Sequence, residues 1–76
     1  MDIKGFISNF AELFEDTDIS VFNANTSFRE LDEWGSLIAL SVMSMVDEEY
    51  DVQLSADEMR QVNTIQELFD LVSSKQ

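Results

Sequence analysis

Seventy-six residues with sixteen Asp or Glu against four Lys or Arg carry a net charge of −12, which argues against nucleic acid and acidic lipid surfaces as ligands, because phosphates repel such a chain. There is no cysteine and no histidine, so disulfide stapling and thiolate metal sites are ruled out, and the imidazole on which most general acid–base chemistry near neutral pH depends is missing. With 45 % hydrophobic residues the chain is too apolar for acid-driven disorder, and its length predicts one domain, residues 1–76, with an economical core that buries about 60 % of the unfolded surface.

The first predicted element spans residues 2–15. Ile3, Phe6, Ile7, Phe10, Leu13 and Phe14 recur at helical spacing, with Lys4, Ser8, Asn9 and Glu12 mostly between them, which is the pattern of an amphipathic helix. Asp2 is placed to cap it or to act as a first-turn acid. The stretch EDTDISVFNANTSF, residues 15–28, then loses periodicity and gathers Asp, Asn, Ser and Thr, which is turn chemistry. Ile19, Val21, Phe22 and Phe28 should pin this long loop to the core, and a loop of this length in a compact domain tends to be functional. Within it ISVF has some strand character but nothing to pair with.

The segment SLIALSVMSMVDEEY, residues 36–50, predicts a second helix. At about 100° per residue, Ile38, Ala39, Val42, Met43, Met45, Val46 and Tyr50 share a broad face. Ser41, Ser44 and Glu48 lie on the other, bordered near its start by Leu37 and Leu40. Val52 and Leu54 lead into a turn. Ser55 and Glu58 then have capping-box spacing for a short third helix, and Thr64 and Glu67 repeat it for a last helix bearing Ile65, Leu68, Phe69, Leu71 and Val72. The expected fold is all-α: a small four-helix bundle with three main helices, a short third helix and a long loop between the first two.

No apolar run reaches the roughly 20 residues needed to span a bilayer, and the opening MDIKGFISNF has neither a basic start nor a small-residue cleavage signal. A soluble, cytoplasmic protein is expected. Repulsion between acidic surfaces favours a monomer.

Ser36, between Trp34-Gly35 and the apolar run, is the residue whose chemistry matters most. A serine nucleophile needs a base and an orienting acid; the chain has no histidine, and Lys4 and Lys75 lie near opposite ends of it. No enzyme and no catalytic residue is expected. The alternating carboxylates of DEEYD, Asp47 to Asp51, resemble a calcium loop but lack its glycine at position six and glutamate at position twelve, so they read as a solvated acidic helix end and no metal site is expected. Two readings of Ser36 share one geometry. It caps the second helix, or it uses the unpaired N–H groups and positive dipole of that helix start to hold a phosphate ester, the tether of a prosthetic arm.

Over nearly its whole length the chain resembles the acyl carrier proteins. The resemblance rests on the amphipathic first helix and a loop ending in Ser27, Phe28 and Leu31. It continues with Ser36 followed directly by Leu37, the apolar helix closing on Asp47, Glu48, Glu49, Tyr50 and Val52, the acids Asp57 and Glu58 of the short helix, and the closing Thr64, Ile65, Glu67 and Leu68. The resemblance implies that Ser36, flanked by Gly35 and Leu37, carries a covalent 4′-phosphopantetheine whose terminal thiol holds acyl groups as thioesters. It implies as partners a Mg²⁺-dependent phosphopantetheinyl transferase drawing on coenzyme A, an acyl-loading ligase or transacylase, and a ketosynthase or acyltransferase with a basic docking patch. The function implied is that of a stand-alone carrier in fatty acid, polyketide or related biosynthesis. An unmodified acidic helical module that binds a basic protein surface is the alternative.

Two departures stand out. Such carriers usually have Asp before the attachment serine, where this chain has Gly35, leaving Asp32 or Glu33 to supply charge nearby though not in the same position. Fatty-acid carriers place acids just after the serine and one turn on, where this chain has Ile38 and Ser41, with Leu40 and Ser44 nearby. A recognition surface of Leu37, Ile38, Leu40, Ser41, Asp47 and Glu48 would then be neutral and apolar near the arm and acidic at its far end. It would suit a greasy and basic partner patch and a specialised pathway. Ile38 and Leu40 could instead pack against the loop and Trp34. Trp34 is either a lid on the second helix or a partner contact, and Met43 or Met45 is either core filler or the wall of an acyl cavity.

Overall fold

A computed structural model describes residues 2–76. The helices are α1 (Ile3–Ala11), α2 (Ser36–Tyr50), α3 (Ala56–Gln61) and α4 (Ile65–Lys75), with 3₁₀ turns at Ile19–Val21 and Phe28–Glu30 in the loop between α1 and α2. This is the expected all-α bundle of three main helices and one short one.

The Asp2 side chain accepts the Lys4 N–H and caps α1. The helix stops at Ala11 rather than continuing to residue 15. There the N–H groups of Leu13 and Phe14 turn to the carbonyls three residues back, those of Phe10 and Ala11, which tightens the chain to a 3₁₀ pitch. Phe14 nevertheless stays in the core, 5.4 Å from Phe10 and 5.0 Å from Phe22 between ring centroids. Phe10 also meets Phe22 and Phe28 at 6.1 and 5.6 Å. Such offset and edge-on pairs contribute about 0.5–1.5 kcal/mol each beyond their buried area. Phe6, Phe10 and Phe28 join Val42, Val46, Ile65, Leu68 and Val72 as the fully buried centre, drawn from α1, α2, α4 and the Phe28–Glu30 turn, while α3 adds the buried Met59.

Two of the four expected loop anchors are buried, Phe22 and Phe28; Ile19 and Val21 are 69 % and 41 % exposed. The 3₁₀ turn that holds them, capped by Asp18 accepting the Ser20 N–H, directs both outward. Backbone bonding to α4 takes their place as the anchor. Phe28 N–H donates to Asn63, Ile65 N–H to Thr26 and Gln66 N–H to Ala24, and Ser27 and Thr64 form an isolated antiparallel bridge. Two of the N–H groups that a helix start leaves unpaired are thus satisfied by the loop. The α3 and α4 capping boxes, Ser55 with Glu58 and Thr64 with Glu67, are both complete. At the far end of α2, Asp51 takes the left-handed conformation at φ 55°, tolerated by Asp at a helix terminus.

Candidate functional site

The residue that caps α2 is Gly35, not Ser36. Gly35 is fully extended at φ −175° and ψ −177°, and Ser36 is the first residue with helical geometry. The first bond of the helix runs from the Ala39 N–H to the Gly35 carbonyl at 2.9 Å, so the N–H groups of Ser36, Leu37 and Ile38 precede the intrahelical ladder. No side chain caps this turn, whereas Ser or Thr caps α3 and α4. The exposed Ser36 hydroxyl therefore stands in the positive field of the longest helix, and the donors around it are open to an anionic ester.

Beside it lies a cavity of about 520 Å³, bordered by Ser36 and Gly35 and walled by Trp34, Ala39, Leu40, Met43, Ala56 and Met59, with Arg29 and Arg60 completing the lining. Trp34 is half-buried with its indole against Phe28, which agrees with a lid, and it also forms a wall of the cavity. Met43 lines the cavity; Met45, the other methionine considered for this place, is buried in the core.

The remaining candidate residues divide by face. Leu37 and Leu40 are 77 % and 59 % exposed, so Leu40 borders the cavity without being covered by Trp34. Ile38 packs partly against the core. Ser41 donates to the Leu37 carbonyl at 3.1 Å, which turns its hydroxyl back along the helix. Asp47 and Glu48 are exposed, roughly 17 and 18 Å from Ser36 along the axis at about 1.5 Å per residue.

Neither Asp32 nor Glu33 lines the cavity beside Ser36. Glu33 accepts the N–H groups of Glu15 and Asp16 at 3.1 and 2.9 Å and the Thr17 hydroxyl at 2.5 Å, latching the start of the loop. The Thr17 hydroxyl, then the backbone donors, hold its carboxyl below the ordinary glutamate value. Asp32 and Glu33 both line a separate cleft of about 410 Å³ with Asp16 and Glu30. Among the described residues no group of three or more acids, His or Cys is arranged to hold a metal ion, and no helix is long and apolar enough to cross a membrane.

Arg29 and Arg60 were not candidates from the sequence, because nothing local marks them. Arg29 reaches the end of α3, where its Nε donates to the Val62 carbonyl at 2.9 Å and its Nη2 to the Met59 carbonyl. Arg60 sits in the last turn of α3, paired with Asp57 at 2.6 Å. An exposed hydroxyl, open helix-start donors and an apolar wall free of carboxylates suit a phosphate ester that continues into a long, largely uncharged arm.

The phosphopantetheine attachment site family matches residues 6–72, a span that includes Ser36 and nearly all of the bundle. Neither curated proteins nor solved structures give a match. The chain belongs to the phosphopantetheine attachment site family: it is a carrier rather than an enzyme, and holds acyl intermediates as thioesters on a phosphopantetheine joined to one of its serines.

Proposed function

We propose that Ser36 is the serine that bears the arm, with Gly35 and Leu37 shaping the backbone around it. The observation that carries this reading is that Ser36 alone combines an exposed hydroxyl, the first turn of a long helix and the edge of an apolar cavity. The other serines in the matched span are placed differently. Ser8 and Ser44 lie within helices, and Ser41 bonds back to its own helix. Ser55 is occupied as a cap, Ser27 bridges to Thr64, and Ser20 lies within a three-residue turn.

When bound, the arm supplies the thiol that the chain lacks. The chain's own part is to hold and display. The α2 amides favour the negative ester by about 0.3–1 kcal/mol, and Trp34, Leu40, Met43 and Met59 offer an apolar wall that excludes water.

Carriers of this family work with enzymes that install the arm and that load and unload it. In this chain the installing enzyme is a Mg²⁺-dependent phosphopantetheinyl transferase using coenzyme A. A loading ligase or transacylase follows, and a ketosynthase or acyltransferase receives the acyl group. Their docking patch is apolar opposite Leu37 and Leu40 and basic opposite Asp47 and Glu48, where charge complementarity speeds encounter. This neutral start to the recognition helix fits a specialised pathway.

Incubation with coenzyme A and a promiscuous transferase should add one phosphopantetheine mass to the intact chain and none to Ser36→Ala. Modification of Ser36→Ala, or no gain in the wild type where a control carrier is modified, would overturn the assignment; the second result would favour an unmodified interaction module.

A further inference from the structure

The charge of the cavity beside Ser36 is opposite to that of the rest of the molecule, and we infer that Arg60 receives an oxyanion brought in on the arm, giving up Asp57 to do so. The inference rests on Ser36 as the attachment point. Sixteen acids face four basic residues in this chain, yet two of those four line this cavity and no carboxylate does. The second cleft has the reverse composition, with four acids and no basic residue.

The two arginines are held differently. Arg29 is fixed, donating to the Met59 and Val62 carbonyls with its guanidinium carbon 5.7 Å from the centre of the Phe28 ring. It steadies the end of α3 and lends the cavity a permanent positive charge. Arg60 is 72 % exposed, and its partner Asp57 is 83 % exposed. An exposed pair three residues apart contributes little to stability, so an oxyanion that is already tethered nearby displaces Asp57 readily. A guanidinium binds such a group through two parallel N–H donors. The apolar wall receives the stem that carries it.

The ligand class is therefore a single oxyanion on an otherwise uncharged stem. Two groups on a loaded arm meet that description: the phosphodiester at Ser36 and a carboxylate at the far end of the acyl group.

The test follows the Arg60 Nε–Hε NMR cross-peak in four forms: without the arm, with the arm, with a straight-chain acyl group, and with an acyl group of equal length ending in a carboxylate. Intact mass establishes loading first, so a chain that never gains the arm overturns the attachment reading, while a loaded chain tests this one. A shift on adding the arm assigns the oxyanion to the phosphodiester, and the arm's ³¹P resonance should then move back in Arg60→Gln. A shift only with the carboxylate-ended group assigns it to the cargo. In either case Asp57→Asn should enlarge the shift, and the Arg29 cross-peak should stay in place. An Arg60 peak unmoved through all four forms, one moved only by the straight-chain group, or equal movement of Arg29 overturns the inference.

Discussion

The indole of Trp34 lies 4.7 Å from the ring of Phe28 between centroids, tilted by 47°, so the side chain two residues before Ser36 is clamped to one fully buried in the core. This contact ties the long loop to the start of α2 and sets one wall of the cavity. Trp34→Ala should remove roughly 100 Å² of buried apolar surface at about 25 cal/mol/Å² together with the ring pair, a loss of about 2–4 kcal/mol. In a domain of this size the melting temperature should fall by at least about 10 °C. Trp34→Phe should retain most of it. Equal melting temperatures for wild type and Trp34→Ala would show that the ring is not a lid.

Gly35→Asp restores the residue common before the attachment serine. A Cβ at Gly35 meets nothing within 4 Å, and its backbone lies in the extended region open to any residue. The new carboxylate would cap the one long helix that lacks a side-chain cap and would face the positive end of its dipole. A stabilisation of about 0.5–1 kcal/mol is expected, read as a higher urea midpoint with an unchanged slope. A lower midpoint would mean that self-repulsion in this acidic chain outweighs the cap.

Glu33 makes the loop sensitive to acid. Its carboxyl is held below the ordinary glutamate value of 4.5 by the Thr17 hydroxyl and by backbone donors. Between the folded and unfolded pKa values the unfolded chain binds more protons, so stability falls as pH falls. Relief of overall repulsion acts in the opposite sense on acidification, but it largely cancels when wild type is compared with Glu33→Gln. The wild type should be the more stable at pH 7, and the difference should begin to close as pH drops through 4.5 and be gone below the lowered folded value. Paired denaturation curves from pH 7 to 3 check this; a gap that stays constant would remove Glu33 from the role of latch.

Leu37 is 77 % exposed and follows the proposed attachment serine directly. Leu37→Ala should leave stability within about 0.5 kcal/mol while slowing transferase modification about tenfold, equivalent to ~1.4 kcal/mol of lost partner contact. Modification kinetics measured beside a thermal melt separate the two effects. An unaltered rate would move the docking contact elsewhere on α2.

Much of this molecule could be read one residue at a time, because its signals are local. The capping boxes at Ser55–Glu58 and Thr64–Glu67, the Asp2 cap and the full span of α2 follow from spacings of three to four residues, and the helical period decides them without reference to anything distant. Ser36 could be singled out in the same way, from a helix start and the residues on either side.

Tertiary structure alone decided the rest. Which residues of the loop turn inward depends on backbone bonds between Thr26, Phe28 and the start of α4, more than thirty residues apart in the chain, and no local pattern distinguishes Phe22 from Val21 on that account. Glu33 looked like spare charge near Ser36 until folding brought Glu15, Asp16 and Thr17 to its carboxylate. Arg29 and Arg60 line the cavity beside the serine only because the fold brings the Phe28–Glu30 turn and α3 near the start of α2. Helix and cap are consequences of short-range geometry; the electrical character of the site is a consequence of which distant side chains share a wall with it.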